Sequence, residues 1–94
     1  MYRIAIVEDD RYQAGKLKDY LEQYSAEEGQ EFEISVFYDG AQILENYVPK
    51  YDLILLDIQM PKVNGMDAAE KIREVDENVV LMFITNMAQY AIRG

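Results

Sequence analysis

The chain contains no cysteine and no histidine. The first absence rules out disulfides and thiolate metal sites, while leaving the redox compartment open. The second removes the commonest general base and the commonest zinc ligand. No apolar run approaches the ~18–20 residues of a membrane-spanning helix, so no membrane association is expected. The N-terminal stretch "MYRIAIVEDD" has neither the apolar core nor the small-residue cleavage site of a signal peptide, and a cytoplasmic location is the default expectation. Basic residues are scarce, nine against eighteen acidic ones, for a formal net charge of −9. Direct nucleic-acid binding would need a basic footprint that this chain lacks.

What is present suits one small domain: 94 residues, half of them apolar, with ordinary charge content. Residues 3–7, "RIAIV", predict a short strand ending at Glu8-Asp9-Asp10. Leu17, Tyr20, Leu21 and Tyr24 then recur at helical spacing, and Asp10 with Gln13 resembles a capping box. "SAEEGQE" (25–31) reads as a loop. "FEISVF" (32–37) alternates apolar and polar residues, as a half-exposed edge strand does. Asp39 is expected to cap a short second helix carrying Ile43, Leu44, Tyr47 and Val48. "DLILLD" (52–57) and "VVLMFIT" (79–85) are apolar throughout, which predicts strands covered on both faces. Between them a third helix, 66–75, places Met66, Ala69 and Ile72 on one side, and "NMAQYAIRG" reads as the start of a fourth. Strands alternating with helices predict an α/β fold with a parallel, doubly wound sheet.

In such a sheet ligands bind beyond the carboxyl ends of the strands, where strand order reverses. Glu8, Asp9 and Asp57 all fall at predicted carboxyl ends, with Thr85 beside them. Carboxylates brought this close raise one another's pKa unless a cation offsets the repulsion. An oxygen-only donor set suits Mg²⁺, and a metal-neutralised aspartate can attack a phosphoryl donor to give an acyl phosphate. Asp10 reads as a helix cap rather than a ligand, and Asp52, at the opposite end of its strand, as a solvated turn residue.

At this point the residues resemble the receiver domain of bacterial two-component response regulators. "IAIVEDD", "LILLDIQMPKVNGMD" and "FIT" carry the resemblance, which covers the whole chain. It implies a flavodoxin-like fold with strand order 2-1-3-4. It makes Asp57 the phosphoacceptor, modified in a Mg²⁺-dependent reaction by a sensor histidine kinase. Asp9 becomes a direct metal ligand, Glu8 its acidic partner, and the Gln59 backbone carbonyl a further ligand. Thr85 becomes the switch hydroxyl, and Pro61 and Gly65 shape the loop after the phosphorylation site. "TNMAQYAIRG" is similar to receivers that precede a LytTR-type DNA-binding domain, so the implied output of the parent protein is transcription.

Receivers continue into a fifth strand, which carries a phosphate-contacting lysine, and a fifth helix. In this chain no lysine follows Lys71; Lys71 falls on the third helix, the wrong element, and Lys62, in the loop after Asp57, reads as solvated. The expectation is therefore a receiver over 1–94 that is incomplete at its C-terminus, with an uncovered fourth strand prone to self-association or domain exchange. Two other readings compete. An aspartate-nucleophile phosphatase of the haloacid-dehalogenase pattern needs an acid two residues after the nucleophile, and Gln59 stands there. A receiver-like interaction module that takes no phosphoryl group would not need the intact acidic set.

Overall fold

The computed structural model describes residues 1–58 and 64–84. Four parallel strands form one sheet in the order β2-β1-β3-β4, with β1 at Tyr2–Val7, β2 at Phe32–Phe37, β3 at Leu53–Asp57 and β4 at Val80–Ile84. Three helices connect them: α1 at Arg11–Glu28, α2 at Gly40–Leu44 and α3 at Gly65–Val75. This is the predicted doubly wound order, with strand order reversing between β1 and β3.

Alternation along the strands divides the core. Ala5, Val7, Ile54 and Leu56 join Ile43, Ala68, Ala69, Ile72 and Val79 in one buried cluster beneath α2 and α3. Ile4, Ile6 and Leu55, the residues between them, are also buried. A strand buried on both faces reads as an unbroken apolar run, which is why "LILL" shows no alternation.

α1 runs further than its pattern predicted. It continues through "SAEE" to Glu28 and stops where Gly29 takes a left-handed φ of 68° and donates its N–H to Ser25 O. A glycine enters that conformation without steric cost, and the helix needs only one such residue to close. The expected apolar face of α1 is only partly used: Ala14 is its buried residue, whereas Tyr20 and Tyr24 are largely exposed. Among the described residues the helix packs chiefly on β2 and β1, and its outer flank is exposed. β4 departs from its pattern in a related way. Its apolar run predicts cover on both faces, yet Val80, Met82 and Phe83 are 55%, 51% and 40% exposed, in keeping with the expectation of an uncovered fourth strand. Among the described residues β4 pairs only with β3, and it forms an edge of the sheet.

α2 is short because Asn46 adopts a positive φ of 57° one residue past its cap, so Tyr47 and Val48 fall outside it. Asp39 caps it as expected, accepting from the Gln42 N–H at 2.8 Å. Tyr47 instead crosses to the end of α3 and donates its hydroxyl to Asp76 Oδ2 at 2.8 Å. The other oxygen of this buried carboxylate accepts from the N–H groups of Asn78 and Val79 and sets the turn into β4. Burial and the neighbouring carboxylate push the Tyr47 phenol pKa upward, so the hydroxyl keeps its proton. Tyr47→Phe should cost about 1–2 kcal/mol, since it strips a donor from a buried charge. Urea denaturation would register this as a lower midpoint with an unchanged slope. Asp52 is more than a solvated turn residue: its Oδ2 accepts the Arg3 N–H at 2.9 Å and ties β3's entry to β1.

Candidate metal and phosphoacceptor site

The site is built where β1 and β3, adjacent in the sheet, release the chain at their carboxyl ends. β3 is rigid there because Ile54, Leu55 and Leu56 are buried along its length. Asp57 terminates it, and the Ile58 N–H bonds to Ile84 O at 3.3 Å, which keeps the end of β4 alongside. On the other strand the Glu8 N–H donates to Phe37 O at 3.0 Å, so Glu8 still belongs to the sheet while Asp9 projects beyond it. The carboxylate oxygens of Glu8, Asp9 and Asp57 lie within 4.8 Å of one another. Glu8 and Asp57 are buried and Asp9 is exposed.

Proton affinity records the crowding. The Glu8 carboxyl is pushed up to about 8, first by burial, then by its hydrogen bond with Asp57, with Asp9 and the charge of Asp57 adding to the effect. The Asp10 N–H, donated to Glu8 Oε2 at 3.2 Å, partly opposes this. That bond also revises the predicted capping box. Asp10 does cap α1, accepting from the N–H groups of Tyr12 and Gln13, but the reciprocal acceptor for its own N–H is Glu8 rather than Gln13.

Three oxygen donors in this arrangement fit Mg²⁺. Octahedral Mg–O distances of about 2.0–2.1 Å place bound oxygens roughly 2.9 Å apart in cis and 4.2 Å in trans, a spread the observed 4.8 Å limit accommodates after slight closure. A cation bound here would compete with the proton that Glu8 holds near neutral pH, and its binding would release that proton. The sign of the pH effect follows. The folded pKa of about 8 exceeds the ordinary 4.5, so Glu8's contribution to stability is fully present below about 4.5 and lost as pH rises through about 8. The metal-free protein should therefore melt lower at pH 9 than at pH 6 on account of this group. Mg²⁺ should reverse the loss and bind more tightly as pH rises. Calorimetric melts with and without Mg²⁺ across that range check both signs; an unchanged difference between the two conditions would contradict them.

Of the other residues predicted for the site, Gln59, Pro61 and Thr85 lie outside the described residues, as do Lys62 and the segment read as a fourth helix. Gly65 is described. It is the first residue of α3, and its N–H donates to Ile58 O at 3.0 Å. A Cβ at Gly65 would overlap the Asp57 carbonyl oxygen and lie 2.9 Å from its carbon. The start of α3 is thereby seated against the backbone of Asp57. Sequence reasoning did not pick out Arg11 and Tyr38, which meet at the same edge of the sheet. Their spacing carries no signal, because only the β2–β1 pairing brings them together.

Comparison with known proteins agrees with this architecture. Residues 4–94 match the family described as response regulator receiver domain. The chain is 39% identical over 82 residues to the transcriptional regulatory protein CpxR of Escherichia coli, covering 87% of this chain but only 33% of that protein. It is 31% identical to the chemotaxis protein CheY of Thermotoga maritima, over 95% of this chain and 71% of CheY. Among solved structures, the response regulator TrrA of Thermotoga maritima in complex with Mg²⁺-BeF superposes with a TM-score of 0.82 at 28% identity. That match covers 96% of this chain and 74% of TrrA. TrrA in complex with the histidine kinase ThkA gives a TM-score of 0.65 at 29% identity, over 92% of this chain and 70% of that one.

Proposed function

Because the chain belongs to the response regulator receiver domain family, we propose that it accepts a phosphoryl group on Asp57 from a sensor histidine kinase. The modification then switches an output carried by the parent protein, a transcriptional one by analogy with CpxR. The observation that carries this reading is the convergence of Glu8, Asp9 and Asp57 at the ends of β1 and β3. The relative TrrA, solved with Mg²⁺-BeF and with a histidine kinase, supports the same cofactor and the same class of partner.

In the proposed reaction an Asp57 carboxylate oxygen forms a bond to phosphorus as the phosphorus–nitrogen bond to the kinase imidazole breaks. Glu8, Asp9, Asp57 and the Gln59 carbonyl would hold Mg²⁺, which when bound offsets the negative charge shared by carboxylate and phosphoryl oxygens. Burial of β3 fixes the nucleophile's position and limits the entropy lost in reaching the donor. Thr85 would donate to a phosphoryl oxygen, and Pro61 and Gly65 would shape the chain between Asp57 and α3. The domain catalyses only its own modification, and the added charge biases a two-state surface near β4. A cytoplasmic location belongs to the same reading; no helix among the described residues is long and apolar enough to cross a membrane.

The test is intact mass after incubation with Mg²⁺ and acetyl phosphate, whose phosphorus–oxygen bond breaks to release acetate as the Asp57 bond forms. One phosphoryl adduct per chain, formed only with Mg²⁺, supports the proposal, and no adduct overturns it. The exposed apolar residues of edge strand β4, Val80, Met82 and Phe83, further support self-association of this chain through that strand. Light scattering should show a mass above the monomer's at tens of micromolar protein; a clean monomer would refute it.

A further inference from the structure

Arg11 opens α1 immediately after Glu8, Asp9 and Asp10, yet among the described residues its guanidinium forms no ion pair with them. It lies instead 4.0 Å over the centre of the Tyr38 ring. Tyr38 follows β2, and β2 neighbours β1 on the side away from β3. The main chain at Tyr38 is anchored, since its backbone N–H is held by Gln42 Oε1 at 2.6 Å. Tyr38 therefore leaves the sheet at the carboxyl edge that carries Asp57, on a strand about two strand spacings or ~10 Å from β3.

The position is electrostatically odd. A cation in the first turn opposes the positive end of the α1 dipole, and the one carboxylate at that helix end, Asp10, is turned to the N–H groups of Tyr12 and Gln13 as the cap. Stacking explains how the charge is retained there, because a guanidinium is attracted to an aromatic face. It also occupies only the flat face of the group. The N–H fork at its rim stays available, and that fork matches phosphate oxygens in a bidentate fashion.

The acidic site faces a problem that such a cation addresses. Two further carboxylates, Glu8 and Asp9, crowd the nucleophile, and the phosphodonor arriving there is an anion. We propose that Arg11, held on the ring of Tyr38, recognises the anionic phosphodonor at the entrance to this site, with Tyr38 as its positioning residue. This rests on Asp57 as phosphoacceptor and adds how the donor is gathered. With its strand two spacings from β3, a scale of ~10 Å, the guanidinium acts on the donor as it binds rather than on the phosphoryl group in transfer. One unit charge at that distance in water shifts the affinity of a dianion about two- to fourfold, and salt weakens the effect.

Phosphorylation of Asp57 by acetyl phosphate, followed by intact mass against donor concentration, tests this. Arg11→Ala should raise the half-saturating acetyl phosphate concentration about two- to fourfold while leaving the saturating rate unchanged. Tyr38→Leu should shift it the same way, without adding to Arg11→Ala in the double variant, and Tyr38→Phe should behave as the parent. The difference should vanish in ~1 M salt, where the Debye length is about 3 Å. An unchanged half-saturating concentration in Arg11→Ala, or a loss confined to the saturating rate, overturns the inference. A second measurement separates it from the phosphoacceptor reading. The Arg11 Nε–H resonance, titrated with inorganic phosphate, should move in the parent and not in Tyr38→Leu. No adduct in the parent sinks the phosphoacceptor, whereas a resonance insensitive to phosphate sinks Arg11.

Discussion

Asp57→Asn should take up no phosphoryl group, and at pH 8 without Mg²⁺ it should melt at a higher temperature than the parent. The first outcome follows from chemistry, since an amide oxygen is a far poorer nucleophile than a carboxylate. The second follows from the Glu8 environment. Its pKa of about 8 owes most to burial, but the hydrogen bond with Asp57 and the charge of Asp57 also raise it. An asparagine removes the charge and can donate to the Glu8 carboxylate, so the folded protein no longer resists ionisation of Glu8 to the same degree. Relief of one pKa unit is worth about 1 kcal/mol at pH 8, where the group is only half ionised in the parent, or roughly 4–8 °C for a domain of this size. Mg²⁺ should stabilise the variant much less than the parent, because one charged ligand is gone. Intact mass and paired thermal melts measure all three effects. An adduct persisting in Asp57→Asn would place the phosphoacceptor elsewhere, and a lower melting point at pH 8 would contradict the account of Glu8.

Gly65→Ala should cost about 2–4 kcal/mol, the range of severe overpacking, and should slow phosphorylation at least tenfold. The atoms a Cβ would meet are the Asp57 carbonyl group and Ile58 Cα, all backbone, so no side chain can swing aside. Either α3 lifts from the end of β3 or the Asp57 peptide rotates. Both movements disturb the Gly65 N–H to Ile58 O bond and the aim of the carboxylate. The cost is a large part of a domain's usual 5–15 kcal/mol. Gly15→Ala supplies the control. Gly15 lies within α1 with nothing within 4 Å of a new Cβ, so the same change should stabilise by about 0.5–1 kcal/mol. Denaturant midpoints for the pair should move in opposite directions. Equal shifts would show that close packing at Asp57 is not what demands glycine at 65.

The sequence by itself determined the order of elements, the parallel sheet and the acids at its carboxyl edge. Each of these depends on local pattern. An unbroken apolar run such as "LILL" can only be a buried strand or helix segment, and its length with a flanking aspartate decides for strand. Asp39 and Asp10 were legible as caps because capping acts over three residues. Tertiary structure alone decided the rest. That Glu8 and not Gln13 takes the Asp10 N–H depends on the path of the chain as it leaves the sheet. Tyr47 joins Asp76 across 29 positions, and Arg11 meets Tyr38 because β2 lies beside β1. Among the described residues β4 stands at the edge of the sheet, and Val80, Met82 and Phe83 are exposed there although their run is as apolar as that of β3. Periodicity reports which residues prefer burial. Only the packing of whole elements decides which of them are covered, and which polar groups end within reach of one another.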